Sequence, residues 1–231
     1  MDELEKRRQK AKDIYLTLYD QNSLGGRLHY GGKNWGSGAY GYIQDLEIDS
    51  FVDVGCGRND FANWGVNQGI NAVGVDIACP LADFVCSSRE LPFKDKKFEY
   101  VTSFDMMEHL LPEEVDDTLD EFFRVASKGF LFTISYKRSN KKVDGKQIHL
   151  TIQKKEWWLN KISQYGKINF YRGVMTPKNK KGQPLPSKIL EYIHCSLYDT
   201  KVEPSNFMRE ENQYFLDGKL VETIISKEVQ N

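Results

Sequence analysis

Short apolar runs alternate along the chain with longer segments whose apolar residues recur at helical spacing. Residues 2–19 show the helical period, whereas residues 20–42 are dense in glycine and aromatic side chains and predict a loop. From residue 50 onward the alternation becomes regular. The pattern there predicts strands over residues 51–54, 72–75, 83–86, 100–104 and 130–134, and helices over 60–68 and from Pro112 to a C-cap at Gly129.

The order of these elements predicts an α/β fold class. Strands that alternate with helices at this spacing form a doubly wound, mostly parallel sheet. The run at 130–134 is almost entirely apolar, which is typical of a parallel strand buried on both faces. Past residue 136 the pattern weakens to a helix over 156–163, a strand over 167–174 and a polar loop over 176–187.

The end of the chain carries a hairpin signal. Asp217 and Gly218 stand between the strand-like segments 213–216 and 219–225, which predicts an antiparallel C-terminal hairpin with a two-residue turn. Neither a repeat nor a linker-like boundary divides the chain. We therefore expect one domain over residues 1–231, with the C-terminal third packed on the same sheet.

Composition and charge exclude several classes of protein. The 231 residues have a net charge of −1, which gives no overall attraction to nucleic acid or to an anionic membrane. The four cysteines show no C-x-x-C spacing, which indicates a reduced, cytoplasmic protein without a metal site. The N-terminus is charged, unlike a signal peptide, and no apolar run approaches the roughly 18 residues that a membrane span needs.

A glycine turn after the first predicted strand is the most informative motif. Residues 53–60 read Asp-Val-Gly-Cys-Gly-Arg-Asn-Asp, so a buried strand runs through two glycines into a helix. Backbone N–H groups at such a junction can approach a ligand closely. The motif resembles the first motif of the Rossmann-like S-adenosylmethionine-dependent methyltransferases.

Later segments extend this resemblance over residues 50–136. Residues 87–101, which include Leu91-Pro92-Phe93, look like the third segment of the family, and residues 104–110 look like the segment after the fourth strand. Two positions depart from the family pattern. Asn59 replaces a third glycine, although asparagine tolerates left-handed backbone, and Ser87 replaces an acid near the adenine.

Charge favours the methyl donor over a dinucleotide such as NAD. Asp76 ends the second strand and can accept hydrogen bonds from ribose hydroxyls, which suits either ligand. The dinucleotide motif, however, wants glycine where this chain has Asp60, and a carboxylate there would repel a phosphate. S-adenosylmethionine has no phosphate and carries a cationic sulfonium and an ammonium.

The resemblance implies S-adenosylmethionine as cofactor and a division of the chain. Residues 1–49 would form a helix and a candidate lid, 50–136 the cofactor-binding core, and 137–231 the remaining sheet and the acceptor side. The implied cofactor-binding residues are Asp53, Gly55, Gly57, Asp76, Ile77, Ser87, Ser88 and Phe104.

Catalytic candidates follow the fourth and fifth strands, because ligands bind at the carboxyl ends of such sheets. Methyl transfer is a displacement that needs alignment, and needs a base only when the acceptor must lose a proton. His109, Glu108 and His149 are the candidates for that base. Each histidine could equally be an ordinary residue satisfied by a backbone carbonyl.

Two other questions stay open in the sequence. Tyr30, Trp35, Tyr40 and Tyr42 could form a lid that excludes water, or could anchor the N-terminal helix. The acceptor is expected to be a small molecule or a glycan, methylated on oxygen or nitrogen. Two basic runs, at 137–142 and 178–181, keep nucleic acid or a phosphorylated acceptor as the alternative, and a non-catalytic binding module is the third hypothesis.

Overall fold

The computed structural model describes residues 2–20, 34–177 and 183–203, together with the backbone of three strands further on. Within these residues the helices are α1 Glu3–Tyr19, α2 Tyr40–Asp45, α3 Asp60–Asn67, α4 Val115–Val125 and α5 Lys155–Ile162. Short 3-10 turns cover Trp35–Ala39, Met107–His109 and Pro112–Glu114. The strands are β1 Ser50–Val54, β2 Asn71–Asp76, β3 Phe84–Val85, β4 Phe98–Phe104, β5 Ala126–Thr133, β6 Lys142–Val143, β7 Lys146–Gln147, β8 Gly166–Met175, β9 Lys188–Leu197, β10 Phe207–Glu210, β11 Gln213–Leu216 and β12 Lys219–Thr223.

Seven strands form the main sheet, in the order β3-β2-β1-β4-β5-β9-β8. The first five are parallel, and β9 runs antiparallel to both β5 and β8. Val52 of β1 lies between Val73 of β2 and Val101 of β4, which places β1 in the middle of the parallel part. The predicted doubly wound, mostly parallel α/β sheet is confirmed.

Both faces of the sheet are buried, which explains why its strands read as apolar runs. On one face Val52, Val101 and Phe132 belong to a core completed by α4 and α5. On the other face Phe51 and Leu131 join a second cluster with α2 and α3. Successive residues of one strand therefore enter opposite layers of the core, as the pleat of a strand requires.

The predicted hairpin is confirmed at the level of strands. β11 pairs antiparallel with β12, and Leu216 lies opposite Lys219. The turn residues Asp217 and Gly218 lie outside the described residues. These strands form a separate three-stranded sheet with β10, and in the C-terminal third β8 and β9 are the strands that extend the main sheet.

Two other details of the sequence pattern need correction. Helix α4 ends at Val125, and Gly129 lies inside β5 rather than at a C-cap. A side chain at Gly129 would meet the ring of Tyr100 on β4 and the carbonyl of Cys195 on β9. The glycine therefore allows three strands to pack closely, and β9 itself was not predicted.

Helix α1 packs across segments that follow β2, β4 and β5. Leu18 contacts Val143 and Ile148, beyond β5, and Tyr19 contacts the residues just after β2. The guanidinium of Arg7 lies 2.6 Å from the carboxylate of Glu113. Because ligands bind at this end of a parallel sheet, α1 covers the expected site. None of the described helices is long and apolar enough to cross a membrane.

Candidate functional site

The turn between β1 and α3 has the left-handed backbone that its glycines permit. Gly55 and Gly57 have φ values of 78° and 56°. The N–H groups of Gly55 and Cys56 donate to the carbonyl of Val75 on β2, at 2.8 and 3.0 Å. A Cβ at position 55 would overlap the side chain of Met106, so glycine is required there by conformation and by space.

Asn59 replaces the third glycine without loss of the turn. Its φ is 64°, in the left-handed region, and it occupies the N-cap position of α3 without a side-chain capping hydrogen bond. Its side-chain amide donates to Asp83 at 3.1 Å, and the same carboxylate oxygen accepts the N–H of Gly74 at 2.8 Å. The amide lies over Gly74, where any Cβ would overlap it. Two hydrogen bonds and one close packing contact therefore connect Asn59, Gly74 and Asp83.

Asp76 organises the backbone where β2 ends. One carboxylate oxygen accepts the N–H groups of Ala78 and Cys79, both at 2.9 Å. The other accepts the N–H of Gly57 at 3.1 Å and, at 3.4 Å, the hydroxyl of Tyr19 from α1. The carboxylate thus links the glycine turn, the end of β2 and α1. Burial raises its pKa, and the three backbone donors oppose that shift.

Asp53 is a buried acid near the carboxyl end of β1, the middle strand of the parallel part of the sheet. It is 3% exposed and accepts the hydroxyl of Thr102 at 2.8 Å. Burial raises its pKa to about 7, Thr102 opposes the shift, and the charge of Asp76 adds to it. Such a group gains from a cation bound beside it, because a positive charge favours the ionised form.

These residues line one end of a cavity of about 1460 Å³. All eight residues expected to bind the cofactor contribute to its wall: Asp53, Gly55, Gly57, Asp76, Ile77, Ser87, Ser88 and Phe104. The wall around the glycine turn includes the acids Asp53, Asp60 and Asp76 and one basic residue, Arg58. These mainly acidic side chains therefore fit a ligand with a sulfonium, an ammonium and a ribose, and do not favour a phosphate.

Two of the three catalytic candidates line the cavity, and the third does not. His109 and His149 line the wall, and their ring centroids are 4.7 Å apart. Glu108 is fully buried and is absent from the wall; its Oε1 accepts the N–H of Ser135 at 3.0 Å. Glu108 therefore cannot meet an acceptor directly in this arrangement, and lies behind the two imidazoles.

Hydrogen bonds fix the two imidazoles. Nδ1 of His149 donates to the carbonyl of Lys137 at 2.6 Å. Nδ1 of His109 lies 3.0 Å from the carbonyl of Ile148 and 2.6 Å from the hydroxyl of Tyr15 on α1. Burial and the neighbouring His149 together lower the pKa of His109 to about 4, although Asp105 opposes the shift. His109 is therefore neutral near pH 7.

Basic side chains from other elements also line the cavity. They come from α1, from the segment after β5 and from the start of β9: Lys12, Lys137, Arg138, Lys141 and Lys188. Within the described residues, Lys12, Lys137 and Arg138 make no ion pair. Arg8 and Arg89 also line the wall, but both contact the carboxylate of Glu114, at 3.3 and 3.1 Å.

Sequence reasoning noticed the basic run after β5 but missed the residues of α1. Tyr15 meets His109 across 94 positions of sequence, and Lys12 reaches the wall only because α1 packs there. The helical spacing of residues 2–19 was the available signal, and it does not show where the helix packs.

The aromatic residues before β1 lie in two different environments. Trp35 contributes to the cavity wall. Tyr40 stacks on Trp64 of α3, with ring centroids 4.1 Å apart, and Tyr42 stacks on Tyr171 of β8 at 4.3 Å, so both pack α2 against the core. Tyr30 lies outside the described residues.

Comparison with known proteins identifies the family. The model of a family described as a methyltransferase domain matches residues 4–174, which is most of the chain. The chain therefore belongs to the Rossmann-like methyltransferases, and it is an enzyme whose methyl donor is S-adenosylmethionine. A comparison with curated proteins finds no match to the sequence.

Solved structures share the fold at low sequence identity. One is the 1,6-didemethyltoxoflavin-N1-methyltransferase of Burkholderia thailandensis, with 14% identity and a TM-score of 0.59 over 86% of this chain and 92% of that one. Another is phosphoethanolamine N-methyltransferase 2 of Haemonchus contortus, with 14% identity and a TM-score of 0.54 over 84% and 60%. A Pyrococcus horikoshii OT3 protein has 16% identity and a TM-score of 0.52 over 81% and 98%.

Proposed function

We propose that this methyltransferase acts on an oxygen or nitrogen atom of a small acceptor that carries a phosphate or carboxylate group. The observation that carries the proposal is the separation of charge along the cavity. Three acids and one basic residue, Arg58, line the end formed by β1 and β2, whereas Lys12, Lys137 and Arg138 line the acceptor side without ion-pair partners among the described residues. A cationic donor and an anionic acceptor would each meet the opposite charge.

The cofactor end assigns a role to each residue expected there. Asp76 would accept ribose hydroxyls, Ile77 and Phe104 would pack on the adenine, and Ser87 and Ser88 would hydrogen-bond its edge. Asp53 and the backbone of Gly55 and Gly57 would hold the methionine part. When bound, S-adenosylmethionine supplies a methyl group that is already activated by the positive sulfur.

The protein's own task is then to align the acceptor and exclude water. A volume of about 1460 Å³ exceeds the roughly 300–1,000 Å³ of an ordinary ligand pocket, so it has room for the donor and a small acceptor together. Helix α1 covers the site, and Tyr15 is fixed against His109. A neutral imidazole here can either accept a proton or bind a cation.

A nucleic acid is the second candidate acceptor, because its phosphates carry the same charge. The basic run after β5 supports it. We favour the small acceptor because that run lines the wall of a cavity that α1 covers. The phosphoethanolamine methyltransferase among the structural neighbours has phosphomonomethylethanolamine bound, so this fold accommodates a small phosphorylated amine in that protein.

Transfer of a labelled methyl group tests the proposal. Phosphorylated and carboxylated small molecules are compared with their neutral analogues and with a short RNA. We expect label in the small anionic acceptors, and we expect the double variant Lys137→Gln/Arg138→Gln to raise their KM by about tenfold or more, because each lost charged hydrogen bond costs about 1.5–3 kcal/mol.

The matched control is Lys167→Gln, which removes an exposed lysine of β8 outside the cavity. It should leave KM unchanged. Equal turnover of neutral and anionic compounds would contradict the proposed acceptor class, and labelling of RNA alone would select the second candidate.

A further inference from the structure

Three side chains that commonly bind metals meet beside the acceptor part of the cavity. One nitrogen of His109, one nitrogen of His149 and a carboxylate oxygen of Glu108 all lie within 4.8 Å of one another. Ligands held about 2.1 Å from a tetrahedral cation are about 3.4 Å apart, so small side-chain rotations would bring the three atoms to coordination distance.

Backbone carbonyls orient both imidazoles for such a role. A carbonyl can only accept, so the bond from His149 to Lys137 places the proton on Nδ1 and leaves the Nε2 lone pair free. The contact of His109 with the carbonyl of Ile148 favours the same tautomer. Nε2 of His149 has no hydrogen-bond partner in the part of the chain that the structure describes, whereas the ring of His109 also contacts the backbone of Asp105. Metal-binding histidines have this outer arrangement as a rule.

The carboxylate of Glu108 provides a second, independent observation at this cluster. Glu108 is fully buried. Its Oε1 accepts the N–H of Ser135, whereas its Oε2 has no hydrogen-bond partner among the described residues. A buried polar atom without a partner costs about 1–3 kcal/mol, and more when it is charged. A cation bound beside Glu108 would satisfy this atom.

We propose that Glu108, His109 and His149 form a binding site for a divalent transition-metal ion. Two imidazole nitrogens and one carboxylate oxygen suit Mn²⁺, Fe²⁺, Co²⁺, Ni²⁺ or Zn²⁺ better than Mg²⁺ or Ca²⁺, which prefer oxygen ligands alone. Three protein ligands leave coordination positions open toward the cavity, as in catalytic rather than structural metal sites.

The use of the open position rests on the proposed function. A hydroxyl oxygen of the acceptor bound there would be held at a fixed place and would lose its proton to water more readily, since metal ions lower the pKa of bound oxygen ligands. The two imidazoles would then be ligands rather than proton acceptors, because one lone pair cannot serve both purposes.

Titration of the metal-free full-length protein with Co²⁺ tests the site without any turnover. Calorimetry and the visible spectrum of Co²⁺ should show one equivalent bound by nitrogen and oxygen ligands. Glu108→Gln keeps an acceptor for Ser135, and together with His109→Gln and His149→Gln it should weaken Co²⁺ binding by about 100-fold or more.

Matched controls remove a histidine and an acid that lie elsewhere. His194→Gln alters a residue between Tyr42 and Tyr100, and Glu113→Gln alters an exposed acid paired with Arg7. Both should keep wild-type Co²⁺ affinity. The site is disproved if the wild-type protein binds no Co²⁺, if the ligand variants bind as the wild type does, or if the spectrum shows thiolate ligands.

A labelled-methyl assay on the same preparations separates the site from the function. Full turnover of a hydroxyl acceptor after removal of the metal by a chelator would overturn the acceptor role. Stoichiometric Co²⁺ binding without methyl transfer to any anionic acceptor would instead contradict the proposed function and leave the metal site standing.

Discussion

At the scale of single residues, the site depends on polar side chains whose hydrogen-bond partners are visible only in the structure. Asn59 stands where the family has glycine, yet it keeps the left-handed turn and bonds to Asp83. Asp53 is an acid whose pKa is raised by burial. The carboxyl group is buried and accepts one hydroxyl hydrogen bond, so a cation bound beside it would favour its ionised form.

Asp53 predicts a dependence of stability on pH. Its folded pKa of about 7 exceeds the roughly 3.9 of an unfolded aspartate, so the unfolded chain loses the proton first as pH rises. The free energy of unfolding should therefore fall between about pH 4 and pH 7, by up to about 4 kcal/mol from this group. Urea denaturation of the wild type and Asp53→Asn across this range measures it.

The expected result is that the fall with pH is smaller in Asp53→Asn than in the wild type. Asp49→Asn, which removes an exposed acid just before the same strand, is the matched control and should follow the wild type. Parallel curves for wild type and Asp53→Asn would refute the assignment of this carboxyl group.

At the scale of elements, α1 determines whether the cavity is closed. Its residues contribute Lys12 and Tyr15 to the wall, and its last turn packs through Leu18 and Tyr19. The helix lies outside the sheet, and few buried contacts hold it. Its attachment should therefore be weaker than the stability of the core.

Leu18→Ala and Leu16→Ala form a matched pair on this helix. Leu18 is 5% exposed and contacts Val143 and Ile148, whereas Leu16 is 46% exposed. Truncation of the buried leucine should cost about 2–5 kcal/mol, that of the exposed one within about 0.5 kcal/mol. Hydrogen exchange across residues 3–19 should accelerate in Leu18→Ala alone, with a higher KM for the acceptor.

Unchanged exchange in Leu18→Ala would show that other contacts hold α1 in place. Equal acceleration in both variants would show that helix propensity, rather than docking, determines its stability.

The elements that were predictable are those determined by local pattern. The strands β1, β2, β4 and β5 are apolar because both faces are buried, and α1 and α4 show the helical period. β9 was missed because residues 188–197 mix apolar and polar side chains, and Tyr192 and His194 are buried by partners far away in sequence. Gly129 was wrongly assigned to a helix C-cap. A glycine is needed there because the neighbouring strands leave no space for a side chain, and local sequence does not show those neighbours.

At the scale of the whole molecule, the cavity combines parts that are close in sequence with parts that are distant. The cofactor end could be predicted, because Asp53, Gly55, Gly57 and Asp76 follow two adjacent strands. The acceptor end could not, because it forms only where α1, the segment after β5 and the start of β9 converge. Glu108 was predicted beside the acceptor, yet its side chain points into the interior toward Ser135.

The central claim is that the acidic end of this cavity binds S-adenosylmethionine. Isothermal titration calorimetry of the wild type, Asp76→Ala and the control Asp116→Ala tests it most directly; Asp116 is an exposed acid paired with Lys161. We expect one equivalent to bind the wild type and the control alike, and Asp76→Ala to bind at least about tenfold more weakly, since tenfold is only about 1.4 kcal/mol. No binding by the wild type, or equal affinity in Asp76→Ala, would contradict the account.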